Sequence, residues 1–466
     1  MGRTIPCGNR ARVFGGAGTN FLEDGLAPCH QAIFGWHALS LRRAWGPRAR
    51  PRPSPSLRAS THLAVASRRL LHNAPRVGAR ALERWTLYLL GPFAELAVQR
   101  RTIQQMNGGP AGIQLDMWLR SVFEQCDRQR RLTWRALGTV GIGRPATPYR
   151  PIYSAPGFVL REYASDCTTG PVLLAVPAPI KNADIWDLAP WASAVRRCQQ
   201  QNIRVYLIEW TPPTNDQADF GLSQYADDFI DDSVSTIAAR TGNERVLLAG
   251  HSLGGTLTAI YSALHPERVA ALLLLAAPLH FGPKVGSLAS AATIASKLMA
   301  LTINDGNVPG SLVSCCSFTA DPVTFGWARC LDWLCTPADA RAIQTNLSVE
   351  RWAFAETPIA RRLFEDVVEL LYRQDRLMRG VLAIGPRRAA PQSVVAPLLC
   401  VLDRHCRVVP PESVLPFYRA VGSRDKRLLW HSRETGLSFQ HVGVLVGTEA
   451  HRRLWKRIVQ WLRLQR

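Results

Sequence analysis

An α/β fold with a mostly parallel central sheet is predicted by three features of the chain. Short apolar runs recur after about residue 151, stretches with helical spacing separate them, and one glycine-flanked turn joins a run to a helix. The runs are Pro171–Val176, Arg204–Ile208, Arg245–Ala249, Val269–Leu275 and Pro397–Leu402. Each is too short for a free-standing helix. Their Val, Leu and Ile residues lack polar alternation, as expected of strands buried on both faces. Arg427–Trp430 reads as the last strand.

The flanking regions have a different texture. Residues 1–80 mix Gly, Pro, Ser and Arg, as in Arg48–Ser56, and read as a disordered Arg/Pro-rich extension. Residues 81–150 read as an N-terminal helical region, with apolar positions at Leu87, Leu90, Phe93 and Leu96, then Trp118, Val122 and Phe123. A break is expected at Gly108-Gly109-Pro110. The main domain is expected over 151–466. Strand signals stop between about 282 and 380, where segments such as Ala360–Arg373 read as an inserted helical lid.

Composition narrows the classes. An apolar fraction of 47% supplies a large core. The net charge of +21 is concentrated at the front, where residues 1–100 hold fifteen arginines against four acids. No run interleaves basic and aromatic residues, so nucleic acid is not an expected partner. The eleven cysteines lack metal-binding spacing, with Cys315-Cys316 and Cys330…Cys335 the closest groups. They fit free thiols in a reduced, cytoplasmic setting, and no metal or cofactor is expected. No apolar run approaches the roughly 20 residues of a membrane span, and no signal-peptide pattern is present.

Chemistry enters at Gly250-His251-Ser252-Leu253-Gly254, between the run ending at Ala249 and the helical stretch Gly255–Leu264. Flanking glycines permit a strained turn that lifts a serine hydroxyl above the sheet, the nucleophile elbow of the α/β-hydrolase fold. Leu253 N–H, at a helix N-terminus, is the expected first oxyanion donor. The second is expected after the first run, from Ala178 or Ile180, since Pro179 has no N–H. A serine needs a base, and in this fold the histidine follows the last strand. His441 is preferred over His431, which abuts that strand directly. The acid is expected to be Asp403, closing the run Leu398–Leu402. A spacing of four residues before a proline would instead select Cys406, ahead of Pro410, and Glu412 lies too far along.

At this point the sequence resembles the polyhydroxyalkanoate synthase family over roughly residues 85–465. The similar segments are Val176–Leu188, Glu209-Trp-Thr-Pro-Pro213, Gly221–Tyr225, Arg351-Trp352 with Glu356-Thr-Pro358, Tyr372–Leu377 and Gln440–Val444. Two departures stand out. The family's polymerising members carry Cys in Gly-x-Cys-x-Gly-Gly, where this chain has Ser252, and their acid falls on Cys406. An activated serine is the commoner device for hydrolysis. The expected function is therefore acyl transfer through an acyl-Ser252, chiefly hydrolysis of hydroxyacyl esters or thioesters. The alternatives are polymerisation of 3-hydroxyacyl-CoA, or a non-catalytic member binding a granule or partner. The resemblance implies an acyl ester or thioester such as acyl-CoA as partner, association with a polyester granule, and a homodimer.

Overall fold

The computed structural model describes residues 111–466 apart from 144, 166–168, 283–284, 303–305, 337–338, 432–433, 435–438 and 466. The expected extension over 1–80, and the helical spacing at Leu87, Leu90, Phe93 and Leu96, lie outside the described residues.

Helix α1 is described over Ala111–Thr139. Its Phe123 is buried in the main core. The sheet then begins with two strands that the apolar runs did not announce, β1 (Tyr149–Ala155) and β2 (Phe158–Tyr163). β1 is an edge strand with largely exposed residues, carrying Pro151 and a register shift between Pro151 and Tyr153. Both are features of an edge, where a missing N–H breaks no inner ladder.

The remaining strands are β3 (Val172–Val176), β4 (Arg204–Trp210), β5 (Val246–His251), β6 (Val269–Leu275), β7 (Leu398–Asp403) and β8 (Lys426–His431). Among the described residues they form an eight-stranded sheet in the order β1-β2-β4-β3-β5-β6-β7-β8. β1–β2 and β2–β4 are antiparallel, and every later pairing is parallel.

Two apolar layers cover the sheet, because alternate residues of each strand point to opposite faces. Leu174, Val176, Leu248, Leu272, Leu274, Cys400 and Leu402 pack on one side with α3 (Phe229–Thr241) and α4 (Leu253–Leu264). On the other, Leu173, Ala175, Leu247, Leu273, Leu399 and Val401 pack with α2 (Ala194–Gln199), α10 (Phe439–Val446) and α11 (Trp455–Arg463). Each fully buried leucine contributes about 1.5–3 kcal/mol of hydrophobic stabilisation, enough to hold the C-terminal strand ends as a rigid platform.

Between β6 and β7 the chain forms helices α5 (Ser287–Thr302), α6 (Gly310–Ala320), α7 (Ala328–Cys335), α8 (Ala340–Ala353) and α9 (Arg361–Asp366), the last continuing as a π-helical turn over Val367–Arg373. No described helix is long and apolar enough to cross a membrane.

Candidate active site

The site grows from the C-terminal end of β5. Ser252 follows it directly with φ 54° and ψ −132°, a conformation that costs a non-glycine residue energy and is kept only where neighbours over-determine it. Here they do. Ser252 N–H donates to the Leu275 carbonyl at 3.1 Å, and the Ser252 carbonyl accepts from Gly255 N–H at 2.9 Å. Two glycines make room for the bend. A methyl at Gly254 would collide with the carbonyls of Val176 and Pro177, and one at Gly250 with the backbone of Gly254 and Gly255. The turn therefore sits hard against the β3 loop.

His441 lies in the first turn of α10, in a helix rather than a loop, and its Nε2 is 3.0 Å from Ser252 Oγ. Burial, with the nearby His251 ring second, holds its pKa well below the ordinary histidine range, so the ring is neutral at neutral pH. His251 is buried, and its pKa is pushed down to about 4 by that burial. Its Nε2 donates to the backbone carbonyl of His441 at 3.0 Å, and the two rings are 4.8 Å apart between centroids. His431, the competing base, is buried with Nε2 3.2 Å from Glu434.

The acid position differs from expectation. Asp403 does not meet the imidazole of His441 in any described contact. It ends β7 in register with His431 of β8, and its carboxylate accepts from His405 N–H at 2.8 Å. Burial raises its pKa above the usual carboxylate value. The group that faces His441 Nδ1 is Cys406, with Sγ 3.8 Å away. Strand pairing fixes the physical reason: Asp403 is still part of the β7–β8 ladder, and the chain reaches the ring only three residues later. The thiol is buried, accepts Val409 N–H at 3.3 Å, and is pushed up to about 11 by burial, so it is neutral.

Leu253 is the first residue of α4, so its N–H has no carbonyl one turn back within the helix. Ala178 and Ile180 lie in the loop after β3 that Gly254 touches, and their N–H groups have no protein acceptor among the described residues. Lys181, next along that loop, donates to Glu356 at 2.7 Å and to the Ala353 carbonyl at 2.9 Å. Glu356 also pairs with Arg130 of α1 and accepts from Ser314 Oγ at 2.6 Å. Burial works against the charge of Glu356, but Arg130 and Lys181 outweigh it and keep the carboxyl below its usual range. Burial pulls Lys181 down to about 8. Sequence reading caught Lys181 and Glu356 only as parts of similar segments, and it missed the His251–His441 contact. The spacing of Cys406 before Pro410 was the available signal for the residue at Nδ1.

Known proteins share parts of this chain's sequence and fold. Residues 188–292 match the α/β hydrolase fold family. The poly(3-hydroxyalkanoate) polymerase subunit PhaC of Haloferax mediterranei is 28% identical over 346 residues, covering 72% of this chain and 68% of that protein. The subunit PhaC of Allochromatium vinosum is 24% identical over 336 residues, covering 70% of this chain and 91% of the relative. Among solved structures, a monoacylglycerol lipase from Paleococcus ferrophilus is similar over 66% of this chain and 99% of its own, at 15% identity and a TM-score of 0.45. The chain is an enzyme of the α/β-hydrolase fold, of the hydrolase and acyltransferase type. Within that fold it is polyhydroxyalkanoate synthase-like.

Proposed function

We propose that this enzyme transfers 3-hydroxyacyl groups from a thioester such as acyl-CoA to a growing polyester, through an acyl-Ser252. The observation that carries the reading is the 3.0 Å separation of Ser252 Oγ and His441 Nε2 at a strained elbow, in a chain whose curated relatives are poly(3-hydroxyalkanoate) polymerases. His441 Nε2 takes the hydroxyl proton as Oγ bonds to the thioester carbon. Leu253 N–H, with Ala178 or Ile180 N–H, stabilises the oxyanion. The C–S bond breaks, the thiol leaves with the proton from His441, and the acyl group remains on Ser252. The hydroxyl of a second hydroxyacyl unit then attacks the ester, with His441 again moving the proton. The partners on this reading are the thioester and the surface of the polyester it forms.

A second reading, hydrolysis, is favoured by serine standing where polymerising relatives of the resemblance carry cysteine. Water would then resolve the same intermediate. Incubation of the full chain with 3-hydroxybutyryl-CoA separates the two. Release of CoA with polymer supports the first, and release of CoA with only free hydroxy acid supports the second. Absence of CoA release, or release that survives Ser252→Ala, overturns both.

A further inference from the structure

We propose that Cys406 is the positioning residue of His441, its thiol donating to Nδ1 from the place where enzymes of this fold use a carboxylate that accepts. The inference rests on the assignment of Ser252 and His441 as nucleophile and base. Sγ is 3.8 Å from Nδ1, within reach of a sulfur hydrogen bond. On its other side the sulfur accepts Val409 N–H at 3.3 Å. The backbone of Val408 also bonds the sulfur, so with both lone pairs engaged the S–H is what it offers to the ring.

The direction of that bond sets the tautomer. A neutral imidazole that accepts at Nδ1 carries its hydrogen on Nε2. Nε2–H then donates to Ser252 Oγ, the reverse of what proton abstraction needs. A carboxylate at the same point would accept from Nδ1–H, leave Nε2 bare and stabilise the imidazolium formed during attack. The resting chain therefore holds its base mostly in the unproductive tautomer, and acylation waits on the minority form.

Nothing nearby among the described residues supplies the missing anion. Asp403 faces His405 and His431, and His431 is beside Glu434. His251 commits its N–H to the His441 carbonyl. On elements packed against α10, Asp184 is paired with Arg161, Asp187 accepts from Ser193 and Thr147, and His451 is bonded to the Leu445 carbonyl. Arg452 and Arg453 are paired with Glu449.

Nitrogen-15 NMR of the full chain with labelled histidine rings reads the tautomer directly, with His441 assigned by the signal lost in His441→Gln. The expected result is a hydrogen on Nε2 in the native chain and on Nδ1 in Cys406→Asp. The same variant is expected to acylate faster at neutral pH, by about a hundredfold for a serine-directed fluorophosphonate, given the scale of losses when a triad acid is neutralised. Its acid limb should move to higher pH, because the carboxylate stabilises the imidazolium, a shift that a merely structural role for Cys406 would not produce. A native His441 with its hydrogen on Nδ1 overturns the proposal, whether or not the variant folds. So does a folded variant with unchanged tautomer and unchanged acid limb. Failure of both chains to label at Ser252, with the tautomers as expected, instead removes the assignment of Ser252 as nucleophile.

Discussion

His251 Nε2 donates to the backbone carbonyl of His441 across 3.0 Å, tying the residue before Ser252 to the residue whose ring meets the Ser252 hydroxyl. The bond spans β5 and α10, so the elbow and the imidazole are referenced to each other rather than to separate parts of the molecule. His251→Phe keeps a ring but removes a second donor to a carbonyl that the helix also uses, a loss of about 0.5–1.5 kcal/mol. We expect a lower melting temperature and roughly tenfold slower acylation, since a small misplacement of the base is enough for that loss. Unchanged labelling kinetics in this variant would show that the contact does not position the base.

Ser252→Ala removes the only atom able to form the acyl-enzyme in this scheme. CoA release should fall by at least about a thousandfold, with the melting temperature nearly unchanged. Mass spectrometry of the intact protein after acyl-CoA exposure checks it: an adduct on the native chain should be absent from the variant.

Acid should weaken the fold as well as the base. His251 and His451 are buried with pKa values of about 4, against about 6.5 when unfolded. Between those values the unfolded chain binds more protons than the folded one, so stability rises with pH and is lost as pH falls from 6.5 towards 4. Each such histidine contributes on the order of 1 kcal/mol per pH unit in that window. Denaturant melts at pH 7 and pH 5 should show the drop, and His251→Phe should show a smaller one.

Gly254→Ala places a methyl against the Val176 and Pro177 carbonyls, where backbone rather than a flexible side chain must yield. Overpacking of this kind costs about 1–3 kcal/mol, and here it also moves the β3 loop away from the turn. Acylation should slow by about tenfold or more, beyond what the loss of stability explains. A variant with native acylation rates would show that the close approach of loop and elbow is dispensable.

Glu356→Gln leaves Arg130 and Lys181 buried without their shared anion. Breaking one partner of a buried charge cluster costs about 3–5 kcal/mol, which thermal or urea unfolding would register. The informative companion is Lys181→Met combined with Glu356→Gln, which removes one cation along with the anion and should recover part of the loss.

The inner sheet was legible because its strands are unbroken Val and Leu runs such as Leu272–Leu275, a pattern dictated by burial on both faces. β1 was not, since Tyr149-Arg150-Pro151 at an exposed edge obeys no such constraint. The elbow was legible from its glycines and its place between strand and helix. The residue at Nδ1 was harder. Asp403 offered the right chemistry at a strand end, but pairing with β8 keeps it in the ladder beside His431, while the spacing before Pro410 marked Cys406, a side chain without the chemistry of a carboxylate. Contacts such as His251 with His441 join residues far apart in the chain and have no local signature.

Leu272 of β6 pairs in register with Leu398 of β7, so the helical insertion departs from and returns to adjacent strands. Because the two strands are parallel, the chain that leaves the C-terminal end of β6 returns to the N-terminal end of β7, crossing back along the strand as well as over one interstrand gap of about 4.8 Å. Evolution or a protein engineer could exchange this whole excursion while Ser252 and His441 stay on the sheet and the helix that hold them. The seam to re-close in any such graft is Lys181 with Glu356, where the exchanged part is stitched to the loop after β3.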